Sequence, residues 1–219
     1  MTTSDWQLAI FDCDGVLVDS EGLTHRVLIE ALSELGIELD LEQAIGLFMG
    51  NTLQQNVALI EELLGRSLPE GFFPAWREQL YDRFRSEPVQ MVAGVRDVLD
   101  GLTMPSCVVS NGPFRKMETS LGVTGLLERF ADKLYSSESG LPGKPSPDMF
   151  LAAARDFSAA PRRTFVVEDS PKGVAGAVAA GMTVFGYAGG DYIDAAELER
   201  AGARVFTDMR ELPALIAIR

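Results

Sequence analysis

The sequence predicts an α/β protein in which a doubly wound parallel sheet carries a small inserted helical domain. A short apolar run without alternation, Leu8–Phe11, is typical of a buried strand in a parallel sheet. From Met91 onward, apolar strand-like runs alternate with helical patterns, and this alternation favours a parallel sheet covered by helices. Residues 18–87 show only helical patterns, so we assign the core to residues 1–17 and 88–219 and the inserted domain to residues 18–87.

Turn and capping signals divide both parts into elements. In the insertion, apolar residues recur at helical spacing after Ser20, and Gly36 is suited to end that helix. The other helices predicted in the insertion are Leu41–Phe48, Thr52–Leu64 and Phe73–Arg85. The strands predicted in the core are Leu8–Phe11, Ser106–Ser110, Lys133–Ser136, Thr164–Val167, Thr183–Tyr187 and Arg204–Phe206. The helices predicted there are Val95–Leu102, Phe114–Leu121, Pro147–Arg155, Val174–Ala180, Ala195–Ala201 and Arg210–Ile218.

Charge and composition argue against several classes of function. The chain of 219 residues carries 19 basic and 32 acidic side chains, a net charge of −13, which argues against a nucleic-acid surface. No apolar run approaches the roughly 20 residues that span a bilayer. Residues 1–6 lack the basic and apolar regions of a signal peptide. Cys13 and Cys107 lie in apolar runs and are predicted to be buried thiols, so we expect a cytoplasmic protein. No feature of the sequence indicates an oligomer, and a monomer is the default expectation.

The first apolar run ends on two carboxylates, Asp12 and Asp14, which are followed by Gly15. Open α/β sheets bind ligands at the carboxyl ends of their strands, and side chains two residues apart point the same way where strand geometry persists. Asp12 and Asp14 could therefore face one reacting centre, with Gly15 allowing the chain to turn away. Because Asp and Gly are common turn formers, this tetrapeptide alone fits a simple strand-ending turn equally well.

Two later strands also end on polar side chains. Ser110–Asn111–Gly112 opens a helix, where a hydroxyl, an amide and backbone N–H groups can hold phosphoryl oxygens; a plain turn is the alternative. Glu168–Asp169 places adjacent carboxylates opposite another carboxylate, which is costly without a cation between them. Hard oxygen ligands with no cluster of His and Cys favour Mg2+ over zinc. The alternative is that these residues, with Ser170, only cap the next helix.

Four stretches, in order along the chain, resemble the motifs of the haloacid dehalogenase superfamily. They are Phe11–Asp12–Cys13–Asp14–Gly15–Val16–Leu17–Val18–Asp19–Ser20, Val108–Val109–Ser110–Asn111–Gly112, Gly143–Lys144–Pro145–Ser146–Pro147–Asp148 and Val166–Val167–Glu168–Asp169–Ser170. The similarity is greatest to the branch that holds β-phosphoglucomutase and the small sugar-phosphate phosphatases. Pro113 and Lys116–Met117, after the second motif, also resemble bacterial 6-phosphogluconate phosphatases. The resemblance implies a Rossmann-like core and a helical cap domain, inserted after the first motif, that closes over the site.

The resemblance also implies roles for the acidic residues. Asp12 would be the nucleophile that accepts the phosphoryl group, and a carboxylate can form such an aspartyl phosphate. Asp14 would be the general acid and base, with its backbone carbonyl on the metal. Asp169 would bind Mg2+ directly, and Glu168 would bind it directly or through a second-shell contact.

The remaining site residues would act on the phosphoryl group. Lys144 matches the family lysine that pairs with both the nucleophile and the phosphoryl group, although a lysine taken alone is more often solvated. Ser110 and Asn111 would bind phosphate. His25, the single histidine of the chain, is interpreted as structural, because the histidine used by the mutases would fall on Thr24.

The expected function is Mg2+-dependent hydrolysis of a small phosphate monoester, such as a sugar phosphate or 6-phosphogluconate, through an aspartyl phosphate. The alternative is a mutase of the β-phosphoglucomutase type. Those mutases use a cap arginine for the distal phosphate, and the matching position here is Leu53. A third alternative, an inactive binding module, would be marked by the loss of a motif residue, and none is lost.

Overall fold

The computed structural model describes residues 5–49, 51, 53–87, 89–190 and 192–217. The chain divides into two compact units: a helical unit, Ser20–Val89, and a core unit formed by the chain on either side of it. The boundary lies at Ser20 instead of residue 18, because Val18–Asp19 pairs antiparallel with Gln90–Met91 inside the core unit. These strands of two residues were not predicted from the sequence.

The core unit is built around a parallel sheet, as predicted. The strands, in chain order, are β1 (Leu8–Phe11), β2 (Val18–Asp19), β3 (Gln90–Met91), β4 (Ser106–Ser110), β5 (Leu134–Ser136), β6 (Thr164–Glu168), β7 (Thr183–Tyr187) and β8 (Arg204–Phe206). Within the described residues, six of them form one sheet in the order β5–β4–β1–β6–β7–β8, with every pairing parallel. Because β1 lies in the middle and the chain winds outward from it twice, the carboxyl ends of β4, β1 and β6 are neighbours.

The core helices cover this sheet. They are α5 (Val95–Gly101), α6 (Phe114–Val123), α7 (Leu127–Phe130), α8 (Asp148–Asp156), α9 (Pro171–Ala179), α10 (Ala195–Ala201) and α11 (Leu212–Ala217). Every residue of β1, β4 and β6 is buried, which explains their continuous apolar runs. Leu8, Ile10 and Val166 of the sheet share one apolar cluster with Phe150 and Val174 of the helices. This packing holds the central strands, and therefore the residues that follow them, in place.

The helical unit has an apolar core of its own. Its helices are α1 (Glu21–Ser33), α2 (Leu41–Phe48), α3 (Leu53–Leu64) and α4 (Phe72–Ser86). Leu32, Phe48, Ile60 and Phe73 are buried together in one cluster. His25 is buried, and its Nδ1 lies 2.8 Å from the Glu21 carbonyl oxygen one turn earlier, a contact that fits the predicted structural role. Thr52, where we predicted the start of the third helix, lies outside the described residues.

Element boundaries differ from the predictions where capping decides them. Helix α9 begins at Pro171 instead of Val174, because Ser170 is its N-cap and accepts a hydrogen bond from the Gly173 N–H at 3.0 Å. Helix α7, of four residues, was not predicted. The predicted last helix is a 3₁₀ turn followed by α11, and its predicted end, Ile218, lies outside the described residues. None of the helices in the described ranges is both long and apolar enough to cross a membrane.

Candidate active site

The chain turns sharply at the carboxyl end of β1. The Asp12 N–H still donates to the Val167 carbonyl at 2.9 Å, so Asp12 continues the strand backbone. Gly15 then adopts a φ of +75°, and a Cβ built at this position would lie 1.8 Å from Asp169 Oδ2. Glycine is therefore required for the left-handed turn and for the close approach of the Asp169 carboxylate.

A buried lysine joins two of the three carboxylates at this sheet edge. Lys144 Nζ lies 2.6 Å from Asp12 Oδ1 and also donates to Glu168 Oε1, and its side chain is only 4% exposed. Asp12, Glu168 and Asp169 each offer a carboxylate oxygen, and these three oxygens lie within 4.8 Å of one another. The structure thus brings together four of the residues selected from the sequence, which lie at the carboxyl ends of β1 and β6 and in the loop before α8.

Burial and crowding set the charge state of this cluster. Burial raises the pKa of Asp12 to about 7; Lys144 opposes this increase, whereas Glu168 and Asp14 add to it. For Lys144, burial alone would lower the pKa, but the Asp12 and Glu168 carboxylates outweigh it and hold the pKa above its usual range. Lys144 therefore stays protonated and supplies a permanent positive charge to the site.

Glu168 is held on both of its oxygens by the protein. Oε1 accepts from Lys144, and Oε2 accepts from the Ser170 N–H at 3.0 Å and the Ser170 Oγ at 2.9 Å. A Cβ at Gly173 would lie 1.9 Å from Glu168 Oε1, so only glycine leaves room for this carboxylate beside α9. From the sequence, Ser170 was assigned only as part of a motif and a possible helix cap, and Gly173 was not singled out. Their contacts with Glu168 depend on the turn between β6 and α9, which the sequence does not reveal.

The Asp14 carboxylate makes a different contact. Its Oδ1 lies 3.0 Å from Lys116 Nζ on the first turn of α6, and both side chains are largely buried. β1 ends at Phe11 and the chain bends after Asp12, yet Asp14 still lies close enough to Asp12 to raise its pKa. That Asp12 and Asp14 face one reacting centre stays a prediction. Lys116 was noticed only as part of a motif resemblance, and its pairing with Asp14 was not predicted.

The loop after β4 is tied to the loop that carries Lys144. Ser110 is buried, and its Oγ accepts from the Gly112 N–H at 3.0 Å. The side chain of Asn111, which we expected to bind phosphate, hydrogen-bonds with the backbone of Lys144: Oδ1 accepts from the Lys144 N–H at 2.7 Å, and Nδ2 donates to the Lys144 carbonyl at 3.1 Å. Both polar atoms of the Asn111 side chain are therefore engaged by the backbone of Lys144 in this structure.

The three carboxylates fit a hard divalent cation. Their oxygens converge, and Gly15 leaves the Asp169 carboxylate unobstructed by a side chain. The pKa of Asp12 is raised mainly by burial, and the neighbouring carboxylates Glu168 and Asp14 add to the increase, which a cation would oppose. Oxygen ligands of this kind suit Mg2+. Among the described residues, only this one group of acidic, His or Cys side chains lies close enough together to hold a metal ion.

Comparison with known proteins identifies relatives over most of the chain. A haloacid dehalogenase-like hydrolase family matches residues 6–181. The Escherichia coli 6-phosphogluconate phosphatase is 34% identical over 180 residues, which cover 82% of this chain and 81% of that protein. The Escherichia coli fructose-1-phosphate phosphatase is 29% identical over 177 residues, which cover 79% of this chain and 92% of that protein.

Solved structures are similar over almost the whole chain. A haloacid dehalogenase-like protein of unknown function from Agrobacterium tumefaciens has a TM-score of 0.84 at 36% identity, covering 97% of this chain and 98% of that one. A hydrolase of the same family from Deinococcus radiodurans, with bound phosphate and sodium, has a TM-score of 0.80 at 31% identity, covering 98% and 96%. A Thermotoga maritima chain, whose assumed activity is that of a β-phosphoglucomutase, has a TM-score of 0.78 at 25% identity, covering 97% and 100%.

Proposed function

The chain belongs to the haloacid dehalogenase-like hydrolases and is a phosphoric monoester hydrolase, and we propose that it is a Mg2+-dependent phosphatase of sugar phosphates or sugar-acid phosphates. The observation that carries this proposal is the buried Lys144 ammonium, which lies against both Asp12 and Glu168, with Asp169 beside them. A phosphate monoester is dianionic, so an attacking carboxylate can approach it only where positive charge is concentrated. We also propose that the helical unit acts as the cap that selects the substrate.

In the first proposed step, a carboxylate oxygen of Asp12 attacks phosphorus, and the bond between phosphorus and the leaving oxygen breaks. Asp14 donates a proton to that oxygen, so the alcohol leaves neutral and an aspartyl phosphate remains. In the second step, Asp14 takes a proton from water, water oxygen bonds to phosphorus, and the bond between phosphorus and Asp12 breaks. Lys144 neutralises negative charge on Asp12 and the phosphoryl oxygens throughout.

The remaining site residues hold the phosphoryl group and the cation. Asp12 and Asp169 would bind Mg2+ with carboxylate oxygens and Asp14 with its backbone carbonyl. Bound Mg2+ would supply positive charge for the phosphoryl oxygens. Glu168, bonded by the protein at both oxygens, would act mainly as the partner of Lys144. Ser110, with its hydroxyl, and the loop that follows it would receive the phosphoryl oxygens.

Two of the relatives support a sugar-phosphate substrate. At 34% and 29% identity, the two matched phosphatases act on a phosphorylated sugar acid and a phosphorylated sugar, respectively. We therefore propose 6-phosphogluconate and hexose phosphates as the first substrates to test. A screen of phosphorylated metabolites with Mg2+, reporting kcat/KM for each, tests this class directly; a preference for nucleotides or phosphoproteins would contradict it.

We expect phosphatase activity to depend on a divalent cation. Removal of metal with EDTA should abolish the release of p-nitrophenolate from p-nitrophenyl phosphate, and excess Mg2+ should restore it, because Asp12 and Asp169, which would hold the cation, then regain a shared counterion. The measurement is the initial rate before chelation, after chelation and after adding Mg2+ back. Full activity in the presence of chelator would exclude the metal assignment.

We expect Asp14→Asn to distinguish the general acid from the nucleophile. An amide cannot donate the proton that an alkoxide leaving group needs, whereas p-nitrophenolate leaves with little protonation. General acid catalysis contributes about 10²- to 10⁴-fold, so kcat should fall far more for a sugar phosphate than for p-nitrophenyl phosphate. Equal losses on both substrates would show that Asp14 acts chiefly in another way, for example through its ion pair with Lys116.

A mutase remains the second candidate, because the structure is similar to the Thermotoga maritima chain of assumed β-phosphoglucomutase activity. A mutase must hold a second phosphate during turnover, and a dianion in a closed site needs a charged partner. The matching cap positions here carry Leu53 and Thr24, which offer no positive charge. This difference favours hydrolysis over the transfer of phosphate within a sugar.

We therefore expect free phosphate, and no isomerised product, from a sugar phosphate. The assay supplies β-glucose 1-phosphate with and without the 1,6-bisphosphate and follows glucose 6-phosphate and inorganic phosphate together. Phosphate release should not depend on the bisphosphate. Formation of glucose 6-phosphate faster than free phosphate would instead establish the mutase.

A further inference from the structure

We propose that Asn111 is a positioning residue that holds the backbone of Lys144, and through it the ammonium that contacts Asp12. The inference rests on the proposed function, since Lys144 acts there on the nucleophile and the phosphoryl group. It assigns the Asn111 side chain a role different from the direct phosphate contact that its sequence position implies.

Both polar atoms of the Asn111 amide are used on one residue. Oδ1 accepts from the Lys144 N–H at 2.7 Å, and Nδ2 donates to the Lys144 carbonyl at 3.1 Å, as a neighbouring strand residue would. Two matched hydrogen bonds fix both the distance and the orientation of the Lys144 backbone. The two residues are 33 positions apart, so the contact depends on the fold and not on their proximity in the sequence.

Asn111 is itself anchored. Its carbonyl accepts from the Ser137 Oγ at 2.8 Å, and the next carbonyl, of Gly112, accepts from the Ser136 Oγ at 2.7 Å. These two serines end β5 and begin the turn that follows it. The edge strand of the sheet therefore supports the loop after β4, and this loop in turn supports Lys144.

Gly143 makes the contact possible. A Cβ built on Gly143 would lie 2.8 Å from Asn111 Oδ1, closer than such atoms approach one another. A side chain at this position would push the amide away from the Lys144 N–H. The glycine of the Gly143–Lys144 pair is thus required for the approach of Asn111.

The position of the Lys144 backbone matters because the ammonium is at the end of a long, flexible side chain. Its Nζ must lie 2.6 Å from Asp12 Oδ1 and also reach Glu168. A displacement of about 1 Å at a reacting centre can cost about 100-fold in rate. We expect loss of the Asn111 contact to lower kcat about 10- to 100-fold, with a much smaller change in KM.

The experiment measures hydrogen exchange at the Lys144 amide and turnover separately. In Asn111→Ala, the Lys144 amide loses its acceptor, and its hydrogen exchange followed by NMR should accelerate at least about tenfold. The amide of Val108, which donates to the Lys133 carbonyl within the sheet, serves as the internal reference and should not change. Turnover of a sugar phosphate is measured on the same samples.

Gly143→Ala provides a second, independent route to the same displacement. It should accelerate exchange at Lys144 and lower kcat, and the double variant with Asn111→Ala should be no worse than Asn111→Ala alone. Gly101→Ala is the matched control, because a Cβ at Gly101 meets no atom within 4 Å. This control should leave both readouts unchanged.

Unchanged exchange at Lys144 in both Asn111→Ala and Gly143→Ala would overturn the inference. Faster exchange with unchanged kcat would overturn it as well, since the contact would then not serve Lys144 in turnover. A double variant in which the two substitutions lower kcat independently of each other would also overturn the inference. If the wild-type protein released no phosphate from any monoester, the proposed function would fail, while exchange at Lys144 would still decide whether Asn111 holds this backbone.

Discussion

Replacing Asp12 with asparagine should abolish turnover and leave the fold intact. An amide oxygen is a far weaker nucleophile than a carboxylate, so no phosphorylated intermediate can form, and we expect kcat to fall by at least about a thousandfold. The shape of the side chain is retained, and the amide oxygen can still accept a hydrogen bond from Lys144. Initial rates on a sugar phosphate and on p-nitrophenyl phosphate should fall together, because both substrates need the same nucleophile.

The stability of Asp12→Asn should be close to that of the wild type in the absence of Mg2+. Burial raises the pKa of Asp12 to about 7, so the ionised carboxylate is already unfavourable in this crowded site, and its loss removes repulsion from Glu168. Thermal unfolding of the metal-free proteins measures this. Asp132→Asn, the same change on an exposed carboxylate of the core unit, is the matched control and should leave turnover unchanged.

Trapping the intermediate gives a direct test of the covalent route. Acid quenching of the wild type during turnover should yield a phosphorylated peptide that contains Asp12, and Asp12→Asn should yield none. A phosphorylated peptide from elsewhere in the chain would place the nucleophile there. Retention of more than about 1% of the wild-type kcat by Asp12→Asn would contradict attack by Asp12, since covalent catalysis contributes far more than this.

The architecture was predictable because buried parallel strands have a simple sequence pattern. The fully buried β4 and the largely buried β7 have the predicted bounds, and so does α10, whose N-cap is an aspartate, Asp194. β2 and β3 were missed because two residues are too few to show alternation. Their pairing depends on the chain returning after the helical unit, which no local pattern indicates.

The candidate site was predictable only in part. Asp12 and the Glu168–Asp169 pair were found because each follows a strand, and the sheet order brings β1 and β6 together. Lys144 could be selected only through the family resemblance, because its burial and its two carboxylate partners are invisible in a loop sequence. The role of Asn111 was missed for the same reason, because its side chain bonds to the backbone of Lys144, and a single sequence does not show that these two loops are neighbours.

The ion pair between Asp14 and Lys116 marks a further limit. The spacing of Asp12 and Asp14 suggested one shared direction, but this holds only while the strand continues. The chain bends after Asp12, and Gly15 reverses it with a positive φ. This turn brings the Asp14 carboxylate to Lys116 on α6, a contact that the spacing of the two aspartates does not indicate.

Replacing Lys144 with methionine should lower both activity and stability. The side chain keeps a similar length and loses its charge, which leaves Asp12 and the fully buried Glu168 without their shared cation. Breaking a buried ion pair on one side costs about 3–5 kcal/mol, so the free energy of unfolding of the metal-free protein should fall by about 3 kcal/mol. Denaturant unfolding in the presence of EDTA measures this, with Lys133→Met as the control on a partly exposed lysine.

Activity and stability can be separated with a second substitution at Glu168. In Lys144→Met/Glu168→Gln, the buried carboxylate that lost its partner becomes neutral, and its contacts with Ser170 can still form through the amide oxygen. We expect the double variant to recover at least half of the lost stability, because the cost of a buried unpaired charge is removed. Its kcat should stay at least about 100-fold below that of the wild type, because no ammonium neutralises the phosphoryl oxygens. Recovery of turnover together with stability would show that Lys144 only supports the fold, and the proposed mechanism would then need another cation.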